Sequence, residues 1–388
     1  MKKKDIAVLG STGSIGKTLF NILLKEKKNI NLILLSAHKS HAILLKQAKA
    51  LNVKNLIITN KKDYEILKKK TANTKIRVFN DFSKLKLIFK KKADYVMSSI
   101  SGIQGLEPTI KIIKFTKKIA IANKESIICG WNLIQTQLTK NKTEFIPVDS
   151  EHFSIWYGLK NLKNNSIEKV IITASGGPFY KTSLNKFSKI KISDALKHPN
   201  WKMGKKISTD SATMINKVYE VIEAKKIFSI DYQKIKILIH PKSYIHAILK
   251  FNNGLTNIIV HDTTMKIPIF NTLFLSNNRK LKTNKININI LNNLKLNTVE
   301  SERYPMIKLL NYLPINHSLF ETVIVAANDK LVELFLDNKI KFIDIQKKLF
   351  KIIKRKEFQK FKKKIPINTK DITNLNNYVR LKITKMII

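Results

Sequence analysis

The stretch Lys4-Asp-Ile-Ala-Val-Leu-Gly10-Ser-Thr-Gly-Ser-Ile-Gly16 decides the fold class. Its first six residues form an apolar run that predicts a buried strand, and a helical run over residues 17–27 follows the last glycine. In a strand, glycine-rich turn and helix of this kind, backbone N–H groups can approach a pyrophosphate at the start of the helix. The stretch therefore predicts a dinucleotide site. An ordinary strand-to-helix turn is the alternative, because the spacing is Gly-x-x-Gly-x-x-Gly.

Strand-like and helical runs alternate along the rest of residues 1–149, which predicts a Rossmann-like, doubly wound parallel sheet. We expect these residues to form the dinucleotide-binding domain. The predicted strands are 30–36, 55–58, 95–98, 118–122 and 145–148, and the predicted helices between them include 42–50 and 63–70.

The residue composition changes after residue 149. Glycines and small polar residues predict a central α+β catalytic domain over 150–274, with a lid loop at 175–205. The Asn- and Lys-rich segment 275–300 has little periodicity and is interpreted as a linker. Helical spacing then predicts a C-terminal helical domain over 301–388.

The net charge of +46 would by itself indicate a nucleic-acid or membrane partner. Only five of the 73 basic residues are Arg, the side chain on which nucleic-acid readers depend. Lys, Ile and Asn share A/T-rich codons, so we attribute the charge to nucleotide composition and expect no nucleic-acid or membrane partner. A single cysteine, Cys129, and the lack of a signal-peptide pattern lead us to expect a cytoplasmic protein.

The end of the second predicted strand bears on the choice of cofactor. An NAD site places an acidic residue there against the ribose 2′-hydroxyl. This chain has Ser36-Ala37-His38-Lys39-Ser40 instead, whose cationic and hydroxyl groups would receive a 2′-phosphate. NADP is therefore favoured, with solvated loop residues as the alternative.

Two carboxylates follow the strand pattern at 145–148. Asp149 comes directly after that strand, and Ser150 and Glu151 come next. Side chains at the carboxyl end of a parallel strand face the crevice where α/β proteins bind ligands, and paired carboxylates suit a hard cation. The alternative is that Asp149 or Ser150 caps a helix beginning near His152.

A second polar cluster runs from Ser208 through turn-like residues into a helix. Asn216 and Glu220 are four residues apart and share one helical face, with Lys217 beside them. An amide, an ammonium and a carboxylate together suit a phosphate bound beside Mg²⁺ or Mn²⁺. A solvated helix face is the alternative for Asn216 or Lys217 taken singly.

The loop between these clusters holds Trp201 and Met203 close to several glycines. Exposed apolar side chains on such a loop indicate a lid that excludes water from a site. Packing of Trp201 in the core is the alternative.

Taken in order, these motifs resemble the 1-deoxy-D-xylulose 5-phosphate reductoisomerase family over about residues 5–270. The C-terminal third resembles the family mainly at Ala326-Ala-Asn328. The matching motifs are Gly10-Ser-Thr-Gly-Ser-Ile-Gly16, Ala122-Asn-Lys-Glu-Ser126, Pro147-Val-Asp-Ser-Glu-His152, Ser175-Gly-Gly-Pro-Phe179, His198-Pro-Asn-Trp201, Met203-Gly204, Lys206-Ile-Ser208, Asp210-Ser-Ala-Thr-Met214 and Asn216-Lys217 followed by Glu220.

The resemblance implies a role for each matching residue. The implied metal ligands are Asp149, Glu151 and Glu220, and Lys124 and His198 are implied at the reacting centre. The implied substrate contacts are Lys124, Ser150, Glu151, Ser175, His198, Ser211, Asn216, Lys217 and Glu220, covered by Trp201 and Met203. The implied cofactor contacts are Thr12, Gly13, Ser14, Ile15, Asn123, Glu125 and Gly204, to which the residue-based argument adds Ala37, His38 and Lys39.

The resemblance also implies a reaction and an assembly. The substrate is a phosphorylated sugar whose carbon skeleton rearranges with a divalent metal as Lewis acid, after which NADPH reduces the product. A homodimer is expected from the family alone. The sequence departs from the family pattern at Ser36–Ser40, at Val218-Tyr219 and at Thr263-Thr264-Met265. A semialdehyde-type dehydrogenase is the alternative enzyme, and it would need Cys129 as nucleophile.

Overall fold

The computed structural model describes residues 3–160, 167–274 and 279–387. Four residues of the predicted linker, 275–278, lie outside this range. The strands are β1 Lys4–Leu9, β2 Ile30–Ala37, β3 Asn55–Ile58, β4 Arg77–Phe79, β5 Tyr95–Ser98, β6 Lys118–Ile121, β7 Glu144–Pro147, β8 Ile167–Ala174, β9 Ile235–Ile239, β10 Ile245–Phe251, β11 Thr256–Val260 and β12 Asn297–Thr298.

The helices vary in length from single turns to the long helices near the C-terminus. They are α1 Ser14–Lys25, α2 His41–Ala50, α3 Lys61–Thr71, α4 Leu85–Ile88, α5 Leu106–Ile113, α6 Lys124–Lys140, α7 Ser150–Gly158, α8 Ile192–Ala195, α9 Lys205–Ala212, α10 Ile215–Phe228, α11 Lys266–Phe274, α12 Ile288–Asn292, α13 Phe320–Leu336, α14 Phe342–Ile353, α15 Lys356–Gln359 and α16 Thr369–Ile387. Short 3-10 turns include Leu184–Lys189 and Pro305–Tyr312. Among the described residues, no helix is long and apolar enough to cross a membrane.

The described residues form two compact units. The first contains residues up to Ser126, Asn132–Phe153 and Met265–Lys282, and the second contains Ile127–Trp131, Ser154–Thr264 and the residues from Thr283 onward. The division at 149, 274 and 300 that the sequence suggests stays a prediction about domains.

The first unit is built on a seven-stranded sheet in the order β4-β3-β2-β1-β5-β6-β7, and every neighbouring pair is parallel. The predicted Rossmann-like sheet is confirmed. Only β4 escaped prediction, because a three-residue strand leaves too little pattern to recognise. Helix α11 packs on α1 in the same core, and the Tyr95 hydroxyl is 2.7 Å from Thr272 Oγ1.

The second unit contains a five-stranded sheet in the order β11-β10-β8-β9-β12. The sequence patterns at 234–239 and 243–251 resemble sheet edges with a turn at Asn252–Gly254. The strands that form there, β9 and β10, instead lie inside the sheet and both pair with β8, and the turn joins β10 to β11. The predicted C-terminal helices are confirmed as α13 and α14, and α16 follows them. Residues 208–212, interpreted as a turn, are instead the second half of α9.

A buried ion pair inside the second unit ties α10 to the start of α13. Lys226 Nζ donates to Glu321 Oε1 at 2.9 Å and to the carbonyl oxygen of Ile128 at 2.8 Å, and it contacts His317. The hydroxyl of Ser318 donates to Glu321 Oε2 at 2.6 Å. Burial opposes ionisation of Glu321, but the Lys226 ammonium, His317 and Ser318 outweigh it and hold the pKa of Glu321 well below its usual range.

We expect Lys226→Met to lower the free energy of unfolding by about 3–5 kcal/mol, because it leaves the Glu321 carboxylate buried without its cation. The double variant Lys226→Met, Glu321→Gln should recover part of that loss. Denaturant-induced unfolding measures both. The matched control is Lys250→Met, whose pair with Glu168 is about half exposed and should contribute less than about 1 kcal/mol. An equal loss of unfolding free energy in Lys226→Met and Lys250→Met would show that the buried ion pair stabilises the protein no more than the exposed one.

Candidate active site

The glycine turn after β1 has a backbone that only glycine fits at two positions. Gly10 has a φ of +79°, and a Cβ there would lie 2.7 Å from the carbonyl oxygen of Ser99. A Cβ at Gly16 would lie 2.3 Å from the carbonyl oxygen of Gly10. The amide of Gly10 donates to Ser36 Oγ at 3.0 Å, so the end of β2 holds the turn in place. Gly13 directly precedes α1 as its N-cap residue.

A cavity of about 640 Å³ opens beside this turn, at the carboxyl ends of β1 and β5. Strand order reverses between these two strands, which is where open α/β sheets bind their ligands. Four of the predicted cofactor residues line the cavity, namely Thr12, Gly13, Ala37 and His38. The His38 ring is oriented by Thr59, since Nδ1 and Oγ1 lie 2.9 Å apart.

Several lining residues had not been identified from the sequence. Thr59, Asn80 and Ser99 directly follow β3, β4 and β5. The rule that ligands lie beyond the carboxyl ends of parallel strands could have found them, although β4 itself had to be recognised first. The other unpredicted lining residues are Asp81, Phe82, Ile100, Ser101, Gln104, Glu107, Pro108 and Lys111.

The remaining predicted cofactor residues occupy other positions. Ser14 and Ile15 form the first turn of α1, where backbone N–H groups lack intrahelical partners, and Lys39 is exposed at the end of β2. Asn123 has a structural role as the N-cap of α6: its side-chain Oδ1 accepts from the backbone amide of Ser126 at 2.8 Å. Its amide nitrogen donates to the backbone at Ile100 and Gly102, so it fixes the loop after β5.

The carboxyl end of β7 brings two of the predicted catalytic residues together. Lys124 is 8% exposed at the start of α6, and its Nζ lies 3.0 Å from Asp149 Oδ2. Strands β6 and β7 are parallel neighbours, so the residues that follow them share one edge of the sheet. The resulting pair places a cation against a carboxylate that would otherwise be poorly solvated.

Ser150 and Glu151 begin α7, two residues before the start near His152 that the helix-cap alternative assumed. Ser150 Oγ donates to Glu151 Oε2 at 2.5 Å, so the first turn of the helix presents an oriented carboxylate. Helix position does not exclude a ligand role, because the carboxylates of Asp149 and Glu151 both remain partly exposed. Oxygen donors of this kind match the preference of Mg²⁺ and Mn²⁺.

In the second unit, Ser175 and His198 form one contact, with Ser175 Oγ 3.0 Å from His198 Nε2. His198 Nδ1 accepts from the backbone amides of Asn200 at 3.2 Å and Trp201 at 2.9 Å. Since Nδ1 must then be unprotonated, the neutral ring carries its hydrogen on Nε2 and donates it to Ser175. Burial, with a contribution from Lys217, lowers the pKa of His198 to about 4, which keeps the ring neutral at pH 7.

The face of α10 carries the predicted amide, ammonium and carboxylate together. Glu220 is 1% exposed, Lys217 Nζ lies 2.5 Å from its Oε2, and the Asn216 amide donates to its Oε1. Gly177 approaches the end of α9 so closely that a Cβ there would lie 3.0 Å from the carbonyl oxygen of Ser211. The predicted phosphate residues Ser175 and Ser211 therefore belong to adjoining backbone segments.

The segment predicted to form the lid contains the turn Leu184–Lys189, helix α8 and the residues leading into α9. Trp201 and Met203 are partly exposed, and Gly204 precedes the first residue of α9. Trp201 is thus not a core residue. Cys129, which the semialdehyde-type alternative needs as a nucleophile, is completely buried.

Sequence comparison then identifies the family. Three family profiles match: 1-deoxy-D-xylulose 5-phosphate reductoisomerase over 6–130, its C-terminal domain over 145–228, and the DXP reductoisomerase C-terminal domain over 261–382. A 1-deoxy-D-xylulose 5-phosphate reductoisomerase of Pelagibacter ubique is 58% identical over 99% of both chains. The chain belongs to this reductoisomerase family. A relative from Wolbachia pipientis is 38% identical over 88% of both chains.

Solved structures of the family agree with this assignment. A 1-deoxy-D-xylulose 5-phosphate reductoisomerase from Zymomonas mobilis in complex with NADPH is 30% identical, with a TM-score of 0.88 over 100% of this chain and 99% of that one. A DOX-P reductoisomerase in complex with NADPH, fosmidomycin and magnesium is 27% identical, with a TM-score of 0.89 over 99% and 98%. These matches support the family reading and not the semialdehyde-type alternative.

Two glycine variants separate cofactor contact from folding. A Cβ at Gly13 would meet only the carbonyl oxygen of Gly10, at 3.4 Å, so Gly13→Ala should leave the free energy of unfolding within about 1 kcal/mol of the parent. It should nevertheless weaken NADPH binding at least about tenfold, because the added methyl occupies the approach of the pyrophosphate. Isothermal titration with NADPH and denaturant unfolding measure the two effects.

Gly16→Ala is the matched control, since its Cβ would clash at 2.3 Å with Gly10. It should lose stability and NADPH affinity together. Undiminished NADPH affinity in Gly13→Ala would place the cofactor elsewhere.

Proposed function

We propose that the chain catalyses the NADPH-dependent rearrangement and reduction of 1-deoxy-D-xylulose 5-phosphate to 2-C-methyl-D-erythritol 4-phosphate, an isoprenoid precursor, with Mg²⁺ or Mn²⁺ as Lewis acid. The observation that carries the proposal is the ion pair of buried Lys124 with partly exposed Asp149 at the carboxyl end of β7, in a chain of this family. Related structures contain NADPH, magnesium and fosmidomycin, and we extend the first two to this chain as its cofactors.

Asp149, Glu151 and Glu220 are the proposed metal ligands. All three offer carboxylate oxygens, and Glu220 is almost completely buried, where a carboxylate needs cationic partners. Lys124 beside Asp149 and Lys217 beside Glu220 supply positive charge. When bound, the metal would polarise the carbonyl and hydroxyl oxygens of the substrate. The two lysines orient the carboxylates for that role.

Ser150, Ser175, His198, Ser211, Asn216 and Lys217 are the proposed substrate contacts. Ser175 Oγ accepts from His198 Nε2 and from the amide of Gly177 at 3.0 Å, which leaves its own hydrogen to donate to a phosphate oxygen. Lys217 supplies an ammonium that balances phosphate charge. Binding energy from the remote phosphate would position the reacting carbons, while Trp201 and Met203 exclude water from them.

NADPH is proposed to occupy the cavity beside the glycine turn, where it would supply the hydride. Its pyrophosphate would lie against Thr12, Gly13 and the first turn of α1 at Ser14 and Ile15. Glu125 and Gly204 are further proposed cofactor contacts. We also propose a homodimer, which the family alone suggests, and a cytoplasmic location, which the single buried cysteine supports.

The decisive assay is oxidation of NADPH with 1-deoxy-D-xylulose 5-phosphate in the presence of Mg²⁺ or Mn²⁺, followed by addition of a chelator. Glu151→Gln should bind NADPH normally but lose at least about 10²-fold in kcat, because a ligand charge is removed without touching the cofactor turn. Glu144→Gln is the control, since Glu144 is exposed on β7 and pairs with Lys118. Well-folded parent protein without metal-dependent turnover would refute the proposed function.

We propose that His38 and Lys39 select NADPH over NADH by receiving the 2′-phosphate. Because His38 lines the cavity and is held by Thr59, the double change His38→Gln, Lys39→Gln should raise KM for NADPH about tenfold or more and leave KM for NADH nearly unchanged. Steady-state kinetics with both cofactors test this. The control is Lys54→Gln, a lysine outside the cavity lining. Equal effects on both cofactors would assign the 2′-phosphate to other residues.

A further inference from the structure

A β-bulge in the second unit interrupts the regular pairing of β10 with β11 at a histidine. Strands β10 and β11 are antiparallel, with Ile245 opposite Val260 and Ala247 opposite Ile259. His246 is therefore the extra residue on β10, at the point where the register with β11 shifts. Bulges re-aim side chains and are frequent beside active sites. The His246 side chain is nevertheless only 2% exposed, so something else covers it.

The covering group is the ring of His261, which follows β11. The two imidazole rings are stacked, with centroids 3.6 Å apart and planes inclined by 14°. His246 Nε2 lies 3.2 Å from the carbonyl oxygen of His261, and His261 Nδ1 lies 2.8 Å from the carbonyl oxygen of Asp262. A carbonyl oxygen can only accept, so each of these nitrogens carries a hydrogen and donates it. Backbone hydrogen bonds thus fix both rings in the stack.

Trp201 lies against this stack. Its ring centroid is 6.2 Å from that of His246, and the two planes are inclined by 73°, an edge-to-face arrangement. The neighbouring Asn200 amide donates to the carbonyl oxygen of Pro241 at 2.7 Å and to Ser243 Oγ at 2.9 Å. The segment from His198 to Trp201 is therefore held to the turn before β10 by the side chain of Asn200, and its indole packs against His246.

We propose that His261 is a positioning residue for substrate binding: its ring fixes His246, and His246 sets the position of the Trp201 indole. The proposal rests on the proposed function, in which Trp201 covers the substrate. Without the second ring, one face of the His246 imidazole loses its contact and Trp201 loses a defined support. The cost should appear in binding of the sugar phosphate, because neither histidine lines the dinucleotide cavity.

The test compares His261→Phe, which keeps a planar ring, with His261→Leu, which has similar apolar bulk and no ring. His261→Leu should raise KM for 1-deoxy-D-xylulose 5-phosphate by about three- to tenfold, the range that one aromatic pair contributes, with kcat and KM for NADPH within about twofold of the parent. His261→Phe should restore KM for the sugar phosphate to within about twofold of the parent. Asn257→Leu, on the exposed part of β11, is the matched control and should behave as the parent.

Two kinetic outcomes would overturn the proposal. Parent-like KM in His261→Leu would show that the stack does not position the lid. Equal impairment in the Leu and Phe variants would show that a ring is not what position 261 contributes. Thermal unfolding of each variant shows whether the change destabilises the whole fold. Such a destabilised variant would be impaired with both the sugar phosphate and NADPH, and this result would also count against a positioning role.

A second measurement requires no turnover. The emission that Trp201 contributes is the difference between the parent and Trp201→Phe, and it can be determined in each His261 background. It should change in His261→Leu and stay close to the parent in His261→Phe. No change in either would overturn the proposed contact. Absence of NADPH oxidation by the parent would refute the proposed function, whereas the emission would still report on the stack.

Discussion

The parallel arrangement of the seven-stranded sheet is the constraint on which the rest of the first unit depends. All seven strands run in one direction, so the residues that follow them meet at one edge. The glycine turn, Thr59, Ser99 and the Lys124 and Asp149 pair are all placed by this rule. The close approach of Gly16 to Gly10 then lets α1 begin directly beside the cavity. A change in strand direction would disperse these groups.

Buried ion pairs fix the positions of side chains in the second unit. The chain carries a net charge of +46, and two of its buried glutamates pair with specific lysines. Glu220 contacts Lys217 within α10, and Glu321 contacts Lys226 between α10 and α13. The first pair belongs to the proposed metal and phosphate site, whereas Ser318 and Ile128 enclose the second, which stabilises the fold. Both are lysine–glutamate pairs, and they differ in the groups that surround them.

Hydrogen bonds to the backbone orient three histidines of the second unit. His198 accepts two backbone amides, and His246 and His261 each donate to a carbonyl oxygen. The low pKa of His198 lets its neutral ring orient the Ser175 hydroxyl without adding charge. The segment that carries Trp201 is therefore positioned by hydrogen-bond geometry and ring contact rather than by electrostatic attraction, which salt would screen.

Sequence patterns were enough to predict the parallel sheet, the glycine turn, the strand-end position of Asp149 and the shared helical face of Asn216 and Glu220. Each of these follows from local spacing, because a strand repeats every two residues and a helix every 3.6. Ordered motifs also identified the family, which the comparisons confirmed.

Only the tertiary structure decided which distant residues meet. Thr59 and Asn80 line the cavity beside the glycine turn because their strands are neighbours, and Asn123 caps α6 and holds the loop after β5. The stack of His246 on His261 depends on a bulge that no spacing rule announces. Pairing between strands brings together residues that local periodicity cannot relate, and it is that pairing which placed these side chains.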